Sequence, residues 1–145
     1  METTDGLDEL LVCRLDNRHR QAEPCTVVIF GASGDLTARK LLPAFYHLFH
    51  HRQLPRPFRI VGFARREKTS ESWRAELKTA IETYSRTKSI EPAEWAEFGD
   101  QVSYCQGDLE DPEAYAKLAT HIRAADTESL RRHVLFYLAV SPSQF

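Results

Sequence analysis

A run of β-branched and aromatic residues, Thr26-Val27-Val28-Ile29-Phe30, leads directly into Gly31 and Gly34 and then into a helical stretch. A strand that is apolar at successive rather than alternate positions is buried on both faces, as in a parallel sheet. A parallel strand cannot return through a tight hairpin and needs a crossover, usually a helix. The two glycines stand where the chain must turn from strand to helix. Their spacing is G-x-x-G, not G-x-G-x-x-G, and no Gly-Lys-Ser/Thr ending marks a P-loop. Taken alone, such a loop also fits a tight turn that binds nothing.

The rest of the chain repeats the alternation. Helical spacing of Leu42, Phe45, Leu48 and Phe49 predicts a helix over 39–51, stopped by Pro55 and Pro57. A second strand is read over 58–63. A helix over 70–84 follows, with Ser70 as N-cap and Trp73, Leu77, Ala80, Ile81 and Tyr84 on one face. Trp73 and Trp95 are read as packing residues. A short helix is expected over 92–98 and a third strand over 102–106, ending in Gly107-Asp108. Asp111 can cap the next helix with Pro112 at its first position, and Tyr115, Leu118, Ala119 and Ile122 form its apolar face. A fourth, buried strand is read over 133–140. This order predicts an α/β fold: a Rossmann-like parallel sheet with helices on both faces, binding ligands at the carboxyl ends of its strands. Residues 24–145 form that domain. Residues 1–23 are read as a polar extension, with Leu10, Leu11 and Val12 in a short helix.

Composition narrows the function. A formal charge of -2 provides no strong pull toward nucleic acid or anionic membrane. No apolar run reaches the roughly 18 residues of a membrane span, and the acidic amino terminus does not have the layout of a signal peptide. Cys13, Cys25 and Cys105 are odd in number and far apart, with neither disulfide nor zinc spacing. A cytoplasmic home is expected.

The glycine loop opens a helix whose first amides carry partial positive charge and suit a pyrophosphate. Ser33 adds a hydroxyl donor. The second strand ends Gly62-Phe63-Ala64-Arg65-Arg66. An acidic residue there would hold the ribose 2′-hydroxyl of NAD. An arginine instead attracts the 2′-phosphate of NADP. Glu67 lies further into the loop. Among the histidines, His47, His50 and His51 cluster on the first helix, but no third metal ligand is apparent. His19 lies in the extension, His121 on a helix, and His133 at the edge opposite the crevice. No residue is assigned to catalysis or to a metal.

The stretch Gly31-Ala32-Ser33-Gly34-Asp35-Leu36, continued by Arg39-Lys40-Leu41-Leu42-Pro43-Ala44, resembles the signature of glucose-6-phosphate dehydrogenases. Ile60-Val61-Gly62-Phe63-Ala64-Arg65 is similar to that family's second strand, and Phe136-Tyr137-Leu138-Ala139-Val140 with Pro142 to its fourth. The motifs run in family order from about Thr26 to Phe145. The resemblance implies hydride transfer from glucose 6-phosphate to NADP, giving 6-phosphogluconolactone. It implies that Gly31, Ala32, Ser33, Gly34, Asp35 and Leu36 cradle the pyrophosphate and that Arg65 holds the 2′-phosphate. Asp108 and Leu109 would border the adenosine, the stretch from Ala139 to Pro142 would lie beside the nicotinamide, and Lys40 would reach toward substrate.

The family's catalytic histidine and most substrate contacts belong to a larger domain beyond these motifs. The chain is therefore expected to be a truncated part of such an enzyme, inactive alone. An open sheet edge and an uncovered apolar face are expected too, giving either marginal stability or association through that edge. The other readings are a non-catalytic nucleotide-binding module or inert fragment, and a short-chain reductase or epimerase domain. The last would need a Tyr-x-x-x-Lys motif.

Overall fold

The computed structural model describes residues 23–85 and 89–140. The extension read over 1–23 falls outside them except for Glu23, as do Cys13, His19, Pro142 and Phe145. Four parallel strands, β1 (Cys25–Phe30), β2 (Phe58–Ala64), β3 (Val102–Gln106) and β4 (Val134–Leu138), form one sheet in the order β3-β2-β1-β4. In the registers around β1, Val28 faces Val61 on one side and Phe136 on the other. The fold is the expected Rossmann-like α/β arrangement.

Connections from β1 step outward through β2 to β3, then return across to β4. Parallel crossovers are right-handed, so reversing direction moves the connecting helix to the opposite face. The core divides accordingly. One layer holds helices α1 (Leu42–His50), α2 (Ser70–Tyr84) and α3 (Pro92–Asp100), packed on Val27, Ile29 and Ile60. The other holds α4 (Pro112–Arg123), packed on Val28, Val61 and Phe63. Alternate residues of the same strands thus feed opposite cores, which explains the continuously apolar sequence of β1. Trp73 of α2 packs directly against β2 because Gly62 has no side chain: a Cβ there would stand 2.5 Å from the indole.

Several local expectations are corrected. The first helix begins earlier than residue 39: Asp35 and Leu36 are already helical, and Thr37–Leu41 forms a π-helical turn before α1. Tyr46 of α1 is fully buried, whereas Leu48 is only half-buried. The N-cap of α2 is Thr69, not Ser70. Thr69 Oγ1 accepts from Ser72 N while Ser72 Oγ accepts from Thr69 N, both at 3.0 Å, in a reciprocal box. Ser70 Oγ is engaged elsewhere, accepting the Tyr104 amide of edge strand β3 at 2.9 Å. Tyr84 is half-exposed beneath the Arg39 guanidinium, 5.0 Å from its ring centre. In α4, Ala114 is buried where Tyr115 was expected, because Tyr115 stacks at the cleft end against Phe63. Asp111 does cap α4, accepting from Glu113 N at 3.0 Å. A short helix, α5 (Glu128–Arg132), has no counterpart in the sequence reading. It receives the buried Thr26 hydroxyl on the Leu130 carbonyl at 2.7 Å.

The fourth strand is apolar but not buried. Leu135, Phe136, Tyr137 and Leu138 are each 40–59% exposed. Among the described residues β4 is an edge, so only its β1 side is paired. Among the described residues the uncovered apolar face is the expected one, whereas the exposure of β4 corrects the reading of a buried fourth strand.

His121 of α4 meets Ser103 of β3, Nε2 to Oγ 2.8 Å. Burial, and then the nearby Arg59 charge, hold its pKa below the ordinary 6.5. The unfolded chain therefore binds this proton more readily than the folded chain, and stability falls as pH drops below about 6.5. The urea midpoint should decline from pH 6.5 toward 5 less steeply in His121→Gln than in the parent. Equal declines would contradict this assignment.

Candidate functional site

The carboxyl ends of all four strands open into one cleft of about 290 Å³. It lies where the chain reverses direction across the sheet, the position at which open α/β sheets bind ligands. Gly31, Ser33 and Gly34 line it from the β1 turn, Arg65 and Arg66 from the end of β2, Gly107, Asp108 and Leu109 from the end of β3, and Ala139 and Val140 from the exit of β4. A second concavity continues past Arg65, Gln106 and Asp108 toward Lys117.

The β1 turn is shaped by Gly31, whose φ is +82°. This left-handed conformation is open to glycine and costly for other residues. A Cβ at the same place would sit 2.3 Å from the Ala139 carbonyl oxygen. The Ala139 amide in turn donates to Phe30 O at 2.9 Å, so β1 and β4 leave the sheet locked together. The Gly31 and Ala32 amides donate to Phe63 O, at 3.0 and 3.3 Å, and Gly34 N donates to Gly31 O at 3.0 Å. Those amides fasten the loop and do not point at a ligand. Ser33 differs: among the described residues neither its amide nor its hydroxyl has a partner. It presents two donors to the cleft at the start of a helix.

The second wall is basic. Arg65 and Arg66 are exposed, and neither forms an ion pair among the described residues. Opposite them Asp108 is fixed by its own turn, with Oδ1 accepting from Glu110 N at 3.0 Å. The Leu109 carbonyl accepts the Tyr115 hydroxyl at 2.7 Å. The donor set is therefore complementary: donors and cations on two sides for phosphates, and a carboxylate on the third for hydroxyl or amine groups.

Of the residues singled out from sequence, Gly31, Ser33, Gly34, Arg65, Asp108, Leu109 and Ala139 converge on this cleft. Four do not line it. Ala32 is buried beneath the turn, in contact distance of the Gly62 position. Asp35 pairs with Arg39 at 2.9 Å on the surface, and Leu36 is 47% exposed. Lys40 is exposed on the π-helical turn. Val140, within the 139–142 stretch read as bordering the nicotinamide, also lines the cleft. Sequence reasoning did not single out Gly107 as a lining residue, although it had a legible signal, a glycine directly after a strand.

Among the described residues no histidine lines the cleft. His50 Nδ1 is 2.7 Å from Glu94 Oε1, joining α1 to α3. The His47 and His51 rings pack at 4.4 Å. No cluster of three or more metal-ligating side chains occurs among the described residues. No helix among them is long and apolar enough to cross a membrane.

A parallel sheet with a glycine turn, a basic second-strand loop and a cleft at the switch point defines a nicotinamide-dinucleotide-binding domain. The family described as glucose-6-phosphate dehydrogenase, NAD binding domain, matches residues 28–145, and the chain belongs to it. It is 39% identical over 123 residues to the glucose-6-phosphate 1-dehydrogenase of Chlamydia muridarum (strain MoPn / Nigg), covering 84% of this chain and 24% of that protein. It is 41% identical over 130 residues to the Chlamydia pneumoniae enzyme, covering 89% and 25%. Among solved structures, a glucose-6-phosphate dehydrogenase in complex with its substrate glucose-6-phosphate superimposes with a TM-score of 0.75 at 33% identity, over 86% of this chain and 26% of that one. The glucose-6-phosphate 1-dehydrogenase from Mycobacterium avium gives 0.70 at 27% identity, over 84% and 25%. The chain thus spans about a quarter of the length of these relatives.

Because Gly31 combines a left-handed backbone with contact against Ala139, Gly31→Ala should cost about 1–3 kcal/mol from backbone strain alone, with the steric clash added. Urea denaturation measures this; a loss below about 0.5 kcal/mol, the usual range for a neutral surface change, would contradict the strain.

Proposed function

We propose that this chain is the coenzyme-binding part of an NADP-dependent glucose-6-phosphate 1-dehydrogenase of the pentose phosphate pathway, with residues 24–145 as the coenzyme domain and 1–23 as an extension. The observation that carries the choice of NADP is the Arg65-Arg66 turn. Two guanidinium groups without carboxylate partners among the described residues stand at the end of β2, where an NAD-selective site would place an acid. Ser33 donates to the pyrophosphate through its amide and hydroxyl. Arg65 holds the 2′-phosphate, Asp108 and Leu109 border the adenosine, and Ala139 lies beside the nicotinamide. When bound, the nicotinamide accepts a hydride from the anomeric carbon of glucose 6-phosphate. Lys40 is the residue of this chain assigned to substrate.

The chemistry also needs a base for the departing hydroxyl proton. Among the described residues no histidine lines the cleft; the base is assigned to the larger enzyme, and this chain alone binds coenzyme without turning it over. The compartment is cytoplasmic, and assembly is into homo-oligomers. The edge of β4, exposed and unpaired among the described residues, supports association.

Calorimetric titration of the chain should show NADP binding more tightly than NAD. Arg65→Ala should weaken NADP by about 1.5–3 kcal/mol, the range for a charged hydrogen bond, with little effect on NAD. Equal losses for both coenzymes would overturn the role of Arg65. Sedimentation at rising concentration should show self-association that Leu135→Lys reduces. A monomer throughout would contradict the edge contact.

A further inference from the structure

Two side chains of β3 act on the Arg65-Arg66 turn: neither lines the cleft itself, and Gln106 borders the second concavity beyond Arg65. Tyr104 is buried on the helix-layer side of the sheet, its ring 5.5 Å from that of Trp73. Its hydroxyl reaches the end of β2 and lies 2.6 Å from the Arg66 carbonyl and 3.3 Å from that of Ala64. Two residues on, Gln106 is exposed, and its Nε2 donates to the Arg65 carbonyl at 3.1 Å. The Gly107 amide adds a bond to Ala64 O at 2.9 Å. Three consecutive carbonyls, those of Ala64, Arg65 and Arg66, are therefore drawn toward β3. β2 itself ends at Ala64, so the strand ladder does not fix the last two peptides.

We propose that Tyr104 and Gln106 are positioning residues for coenzyme selectivity: by holding the Arg65 and Arg66 carbonyls, they aim both guanidinium groups into the cleft before a 2′-phosphate arrives. The inference rests on the reading of that turn as the 2′-phosphate site.

The physical case concerns order and repulsion. Two adjacent guanidinium groups without acidic partners among the described residues repel each other, and each side chain carries about 2 kcal/mol of rotamer freedom. A free loop would let them diverge into solvent, and a ligand would then have to order backbone and side chains together. Fixing the peptide planes fixes the direction of each Cα–Cβ bond in advance, so less freedom is lost on binding. Burial raises the pKa of the Tyr104 hydroxyl above its ordinary value, with Glu76 adding to the shift and Arg66 opposing it. The hydroxyl therefore remains a protonated donor at neutral pH. Tyr104 supports Arg66 from within the core, and Gln106 supports Arg65 from the rim.

The test titrates the 145-residue chain, Tyr104→Phe and Gln106→Ala with NADP and with NAD by calorimetry, alongside thermal unfolding. Tyr104→Phe keeps the buried ring. Gln106→Ala changes an exposed side chain, so it retains the fold if the phenylalanine variant does not. A lost hydrogen bond of about 1–1.5 kcal/mol corresponds to roughly five- to tenfold in affinity. Each variant should lose that much for NADP while NAD binding stays within about twofold. Unchanged NADP-to-NAD ratios in both variants would overturn the proposal. So would parallel losses for both coenzymes accompanied by a lower unfolding temperature, the mark of a merely structural role. If the parent chain shows no NADP preference, the reading of the arginine turn fails, and the proposal fails with it. A parent preference that both variants retain overturns only the positioning role.

Discussion

Everything in this domain is referred to the burial of β1. Val27, Val28, Ile29 and Phe30 are each at most 7% exposed, and the strand is paired on both sides. Alternate side chains enter the two cores, so the strand cannot slip by one residue without exchanging its faces. That fixed strand delivers Gly31 to one point. The left-handed turn, the approach of Ala139 and the carbonyl that receives both Gly34 N and the Thr37 hydroxyl all converge on this one residue without a side chain. The cleft forms because the chain departs from β1 in one direction and returns to β4 in the other.

The walls of the cleft then follow from how the outer strands are braced. Phe63 illustrates the coupling: its carbonyl receives the glycine-loop amides, and its ring packs against Phe30 and Tyr115. Tyr115 in turn holds Leu109 in the loop after β3. The segments after β1, β2 and β3, three of the four that border the cleft, are thus tied through one side chain and one peptide of β2. By comparison, exposed pairs such as Asp35–Arg39 and Glu128–Arg132 lie along single helices, where such contacts add only tenths of a kcal/mol.

Much of this is legible in the sequence. The apolar period places strand β3 and helix α2 over their observed residues, and Asp111 caps α4 as expected, because apolar period and capping chemistry act locally. The errors share a physical cause. Ser70 has the right chemistry for an N-cap, but it is drawn to the Tyr104 amide across 34 residues. Tyr115 has the right period for a core position, but its ring is diverted to Phe63. Strand β4 has the composition of a central strand, yet it lies at the edge of the described sheet. In each case tertiary placement outweighed a local preference of similar size.

The sequence by itself determined the class of fold, the glycine turn, the arginines after β2 and the family. These depend on residue type at fixed spacing, and spacing survives without coordinates. Only the tertiary structure decided which members of the signature meet in the cleft. Ala32, Asp35, Leu36 and Lys40 share a signature with Gly31, Ser33 and Gly34, yet the turn buries Ala32 and the helix that follows turns the other three to the surface. The support of Arg65 and Arg66 by Tyr104 and Gln106 was equally invisible, because it joins residues about 40 positions apart through the register of two parallel strands. Register is a property of paired backbones, and no single segment carries it.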